Sequence, residues 1–261
     1  MLGAIIGDIV GSRFEWSNCK SKEFELFTGE CRPTDDSIMS LAVADALMQS
    51  DTRYANLSEL TIEYMQKLGR LYPDAGYGGM FKIWLYSDDP KPYKSYGNGS
   101  AMRVSPCGFA ATTLEEARRL SDLVSSVTHN HPEGMKGAEA VAVAIFMARH
   151  GASVREIRSV IEREYYNIDF SIDDIRDTYE FNETCQGSVP QALAAFFESS
   201  GFEDAIRNAI SVGGDSDTIA AMTGGIAEAY YGIPDDIRTC AITYLDERLR
   251  GILADFEKEY M

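Results

Sequence analysis

The sequence predicts an all-α protein built as one compact domain spanning residues 1–261. Three observations carry this. Runs of strand-favouring residues are scarce, and Ala, Glu, Leu, Met and Arg recur at helical spacing along most of the chain. Hydrophobic residues make up 45% of 261 positions, enough for one large core and too many for a disordered chain. The two strongest motifs lie near opposite ends of the chain, which a single folded unit brings together most simply.

Each element follows from local pattern. Gly3, Gly7 and Gly11 are spaced by four, so on a helix they form a smooth stripe that another backbone can approach closely. From Thr34 the text TDDSIMSLAVADALMQS is an amphipathic helix with apolar Ile38, Leu41, Val43, Ala44 and Leu47. Further helical patterns fall at about 57–70, 78–87, 100–110, 113–127, 133–150, 153–165, 188–199, 202–211, 217–231 and 235–257. Punctuation falls between them at Pro73, Gly97, Pro132, Gly151 and Pro234. The acidic, aromatic stretch from about 166 to 186 reads as partly irregular.

The net charge is −17, which disfavours nonspecific binding to nucleic acid or anionic membrane. A phosphate-bearing ligand would therefore need local positive charge from metal ions or helix N-termini. Cys19, Cys31, Cys107, Cys185 and Cys240 are dispersed, with no CxxC pair, and read as free thiols of a reducing, cytoplasmic compartment. The apolar start MLGAIIGDIVG lacks a basic leader and carries Asp8; it is too short to span a membrane. A P-loop would need a Gly-Lys-Ser/Thr ending and a dinucleotide site a GxGxxG, and neither occurs.

Two acidic helix starts stand out. Thr34 reads as an N-cap with Asp35 and Asp36 in the first turn, and Asp215, Asp217 and Thr218 follow Gly213-Gly214 before a second apolar helix. Capping accounts for either segment alone. Together they hold four carboxylates and two threonine hydroxyls in near-mirrored order. If they converged, their charges would repel unless a hard cation such as Mg²⁺, Mn²⁺ or Ca²⁺ joined them.

Five segments carry a resemblance: GAIIGDIVGSRFEW (3–16), TDDSIMSLAVADAL (34–47), YGNGSAMRVSPCG (96–108), THNHPEGMKGA (128–138) and SVGGDSDTIAAMTGGIAEAYYG (211–232). In this order, over nearly the whole chain, they resemble the ADP-ribosylglycohydrolase family. The resemblance implies a compact, orthogonal multi-helix bundle that hydrolyses the bond between ADP-ribose and an acceptor. It implies two divalent cations, Mg²⁺ or Mn²⁺, held by Thr34, Asp35, Asp36, Asp215, Asp217 and Thr218, all six of which are intact. It implies an ADP-ribose cradle including Asn98, Gly99, Ser100 and Met102, with a helix start near Ser100 facing the pyrophosphate. Arg103 is there a phosphate contact or a structural ion pair. His131, and less so His129, becomes a substrate contact, although a loop histidine is the ordinary reading of either.

Cleavage of a ribosyl bond passes through an oxocarbenium-like transition state. Catalytic roles then fall to Asp35 or Asp36 as proton acceptor and to Glu15 at the leaving group. Glu15 alone would read as a solvated charge, and Ser12-Arg13-Phe14 departs from the small-and-proline version in some relatives. The implied substrate partner is an ADP-ribosylated protein or a small ADP-ribose conjugate. The rival readings are a noncatalytic ADP-ribose-binding or crystallin-like relative, which would tend to lose metal ligands, and a phosphohydrolase that breaks the pyrophosphate.

Overall fold

Periodic apolar residues become helices almost everywhere they were expected. The computed structural model describes all 261 residues and holds fourteen helices and no strand. In chain order they are α1 (Leu2–Gly11), α2 (Asp35–Gln49), α3 (Leu57–Leu71), α4 (Gly79–Leu85), α5 (Ser105–Ala110), α6 (Leu114–Ser125) and α7 (Pro132–Arg149). Then follow α8 (Val154–Glu164), α9 (Ile172–Ile175), α10 (Cys185–Phe197), α11 (Phe202–Val212), α12 (Ser216–Tyr231), α13 (Asp235–Ile242) and α14 (Glu247–Tyr260).

Three expectations need correction. The pattern at 235–257 is two helices, because Asp246 accepts the Leu249 amide at 3.0 Å and starts α14 afresh. The helix expected over 100–110 begins only at Ser105; residues before it form turns, with the Met102 amide on the Asn98 carbonyl at 3.0 Å. The helix expected from 188 starts at Cys185, capped by Thr184, and so carries Pro190 inside it, against the usual first-turn placement of proline.

One apolar cluster runs from Met1 to Phe256 and includes residues of every helix. At its centre lies α1, whose ten residues are all buried, which explains a helix apolar on every side. Its glycine stripe lies antiparallel against α12. A methyl at Gly3 would strike the Gly224 carbonyl, one at Gly7 the Ala220 carbonyl, and one at Gly11 the Asp217 backbone. Buried Glu228, near the far end of α12, pairs with the Met1 amine and accepts the Gly3 amide at 2.7 Å. That carboxylate sits at the positive end of α1, where it satisfies amides the helix leaves free. No helix is long and apolar enough to cross a membrane.

This packing predicts opposite effects for two glycine-to-alanine changes. Gly7→Ala should destabilise the fold by about 3 kcal/mol, the upper range for overpacking, because the obstacle is backbone that cannot turn aside. Gly251→Ala, at an exposed position of α14 with nothing near its Cβ position, should stabilise by about 0.5–1 kcal/mol. Urea unfolding measures both, and a neutral Gly7→Ala would contradict the close α1–α12 contact.

Candidate active site

The two acidic helix starts meet. The α1–α12 contact sets the C-terminal half of α1 beside the first turn of α12, and α2 packs against both. Asp8, Asp36 and Asp217 can each bring a carboxylate oxygen within 4.8 Å of the others, and so can Glu15, Asp215 and Asp217. Asp36, Asp215 and Asp217 are buried, and Asp35 is partly exposed beside them.

Capping does not account for these groups. Thr34 accepts the Asp36 amide only at 3.4 Å, while its hydroxyl donates to Asp8 Oδ1 at 2.6 Å. Asp215 stands at the N-cap of α12 and caps nothing; it accepts Asn98 Nδ2 at 2.7 Å. Asp36 Oδ2 accepts the Thr218 hydroxyl at 3.2 Å, and Asp36 Oδ1 is buried with no hydrogen-bond partner. A buried carboxylate oxygen without a donor is costly unless a cation or proton answers it. An all-oxygen set of carboxylates and threonine hydroxyls suits a hard divalent cation, so the residues present fit the metal site that the motifs imply.

Asp8 is the residue that sequence reasoning missed. It accepts the Thr34 amide at 2.8 Å, the Ser37 amide at 3.1 Å, and both of their hydroxyls. One carboxylate thus fixes the start of α2. The available signal was an aspartate inside an otherwise apolar, buried helix. At the other start, Gly213 and Gly214 have φ of +74° and +68°, a left-handed pair that turns α11 sharply into α12. Lys20 Nζ donates to the Val212 and Tyr179 carbonyls at 2.6 and 2.7 Å and ties that turn to two loops.

A cavity of about 710 Å³ opens over the carboxylates, a size typical of small-molecule sites. Glu15, Asp35, Asp36, Asp215, Asp217 and Thr218 line it, as do Asn98, Gly99 and Met102. Thr34 lies just beneath, turned to Asp8. Ser100 is not on the wall; its hydroxyl donates to the Gly134 carbonyl at 2.8 Å. His131 caps α7, accepting the Glu133 amide at 3.2 Å, and also stands off the wall.

The histidine on the wall is His129, 4% exposed. Its tautomer follows from its neighbours. Arg103 can only donate and gives Nη2–H to the Thr128 hydroxyl at 2.7 Å, so that hydroxyl's hydrogen goes to His129 Nδ1, also at 2.7 Å. Burial, with Arg103 nearby, holds His129 well below its usual pKa, leaving a neutral ring with Nε2–H beside Gly97 and Gly99. Buried Arg103 makes no ion pair in this network. Arg103 and Lys94 are the cationic side chains of the wall, and the helix expected to start near Ser100 starts only at Ser105.

Residues 1–259 match the ADP-ribosylglycohydrolase family. The chain belongs to that family. It is 28% identical to the ADP-ribosylhydrolase ARH3 of Homo sapiens, in a match covering 89% of this chain and 84% of that protein. It is 28% identical to the ADP-ribosylarginine hydrolase Tri1 of Pseudomonas putida, over 89% of this chain and 70% of that protein. A solved structure titled ADP-ribosylglycohydrolase-related protein complex shares the fold with a TM-score of 0.71 and 22% identity, covering 100% of this chain and 96% of that one. The all-helical class expected from sequence is the class observed, and the protein is a glycohydrolase of this family.

Crowded acids have a consequence for stability. Burial, then the charges of Asp8 and Asp215, push Asp35 up to about 8. Burial, then Asp215, pushes Glu15 up to about 7. Both groups hold protons more tightly folded than unfolded, so their contribution is complete at acid pH and is lost as pH rises from about 4 to about 8. The melting midpoint of chelator-treated protein should therefore fall across that window, and Mg²⁺ or Mn²⁺ should raise it far more at the alkaline end. A midpoint indifferent to both would contradict this account of the site.

Proposed function

We propose that this chain is a divalent-metal-dependent ADP-ribosylglycohydrolase, which cleaves the bond between C1″ of the terminal ribose and an acceptor atom and releases ADP-ribose. The observation that carries the reading is the junction of two distant acidic helix starts around the unpartnered Asp36 Oδ1, at the floor of a nucleotide-sized cavity. The metal ligands are Thr34, Asp35, Asp36, Asp215, Asp217 and Thr218, sufficient in charge for two Mg²⁺ or Mn²⁺ ions. When bound, such ions would supply Lewis acidity toward ribose oxygens and would make a water molecule more acidic.

The protein's own groups divide the remaining work. Asn98, Gly99 and Met102 line the ADP-ribose side, with the His129 Nε2–H as a neutral donor. Ser100 supports that loop from below through the Gly134 carbonyl, and His131 acts at the start of α7. As the C1″–acceptor bond breaks, its electron pair leaves with the acceptor atom, which takes a proton from Glu15. The water oxygen bonds C1″ and gives its proton to Asp35 or Asp36. Glu15 suits that role by position, on the cavity wall beside Asp215 and Asp217, and by a half-buried setting that disfavours loss of its proton.

Asp35→Asn and Asp217→Asn should each lower turnover at least about 100-fold while the far-ultraviolet circular dichroism stays that of the native helical fold. The assay incubates an ADP-ribosylated acceptor with Mg²⁺ and follows free ADP-ribose, with chelator as the paired control. Full activity in either variant, or indifference to chelator, would reject the assignments. Release of AMP would instead place cleavage at the pyrophosphate.

A further inference from the structure

Asn98 lies in the turn before α5 and lines the cavity, yet its side chain is turned to the carboxylate cluster. Its Nδ2 donates to Asp215 Oδ2 at 2.7 Å, and both residues are buried. An ionised carboxylate can only accept, so the amide must present its nitrogen there. The backbone of Asn98 is equally committed. Its amide donates to the Glu183 carbonyl at 2.8 Å, and its carbonyl accepts the Met102 amide at 3.0 Å. Gly97, the residue before it, forms an antiparallel bridge with Thr184. A donor held this firmly cannot follow Asp215 if that side chain swings, so it acts as a fixed post.

The neighbouring carboxylates show a similar division. Asp36 has Oδ2 on the Thr218 hydroxyl at 3.2 Å, and its Oδ1 has no partner. Asp217 has Oδ1 on the Thr218 amide at 3.1 Å. In each of the three, a protein donor takes one oxygen and leaves the other for a ligand. Asp8 differs, with donors on both oxygens. Among these donors Asn98 is special. It comes from outside the two acidic helix starts, and it is not itself suited to be a ligand through the nitrogen it presents.

We propose that Asn98 is a positioning residue of the metal centre: by holding Asp215 Oδ2 it limits Asp215 to one metal bond and biases the site against Ca²⁺. The inference rests on the metal-dependent reading above. Mg²⁺ and Mn²⁺ suit single carboxylate oxygens, and Mg²⁺ demands near-octahedral order and keeps several waters. Ca²⁺ accepts up to about eight oxygens at longer distance and gains from carboxylates that bind through both. Without the tether Asp215 can turn and offer both oxygens, which favours the larger ion.

Two measurements on the full chain test this, with the metal alone as probe. In calorimetry of chelator-treated protein, Asn98→Ala should weaken Mn²⁺ binding about tenfold or more, the usual effect of losing such a support. Ca²⁺ binding should weaken much less or tighten, so the preference for Mn²⁺ over Ca²⁺ narrows. Asn98→Leu, close to asparagine in shape but without a donor, should behave alike. Equal losses for both ions would make Asn98 a merely structural residue of its loop and overturn the proposal, as would no loss at all. In crystals of the parent protein soaked with Mn²⁺, located by anomalous scattering, Asp215 should bind through one oxygen while Asn98 holds the other. Asp215 bound through both oxygens, or Asn98 turned away, overturns the proposal even if both variants unfold. A parent protein that binds neither ion would reject the metal-dependent reading itself, and this proposal with it.

Discussion

The contact between α1 and α12 is the constraint from which the site follows. Two helices that touch backbone to backbone cannot slide or rotate without collision, and only residues lacking a Cβ allow them so close. The register of Gly3, Gly7 and Gly11 against Gly224, Ala220 and Asp217 thereby fixes where Asp217 lies relative to Asp8 and Glu15. Glu228 anchors one end of this pair and the carboxylate floor occupies the other. A structural device and a functional one are two ends of the same helix pairing.

Placing several carboxylates at one buried junction works against folding, since each prefers its neutral form there. The protein eases this unevenly. Asp8 is answered by two amides and two hydroxyls, which makes it a fixed part of the scaffold. Asp36 is answered on one oxygen only, which leaves the other available. The cavity lining carries both signs: Glu15, Asp35, Asp36, Asp215, Asp217 and Glu183 share it with Lys94, Arg103 and a neutral His129. Lys94 and Arg103 place positive charge locally in a protein whose overall charge is −17.

Much of the helical layout was legible because apolar period and caps are local properties. The start of α2 was read correctly to the residue, and that of α12, expected at 217, falls one residue earlier at Ser216. Failures came where a local signal was overridden or hidden. The cap at Asp246 sits inside an unbroken apolar pattern, so one helix was expected where two form. Pro190 is tolerated inside α10 although proline favours the first turn. The turn at 98–103 replaced an expected helix start, and the helix begins only at Ser105. Two histidines separated by one residue look alike in sequence, yet one caps α7 and the other faces the cavity.

By itself the sequence determined the helical class, the family, and which acidic and threonine side chains are chemically suited to a hard cation. These depend on residue type and short-range spacing, which the chain carries in one dimension. Tertiary structure alone decided that Asp8 serves as the clasp on α2, that His129 presents Nε2–H, and that Asn98 meets Asp215. Each of those depends on atoms brought together from distant positions, and their donors, tautomers and free oxygens exist only once helix packing has chosen the neighbours.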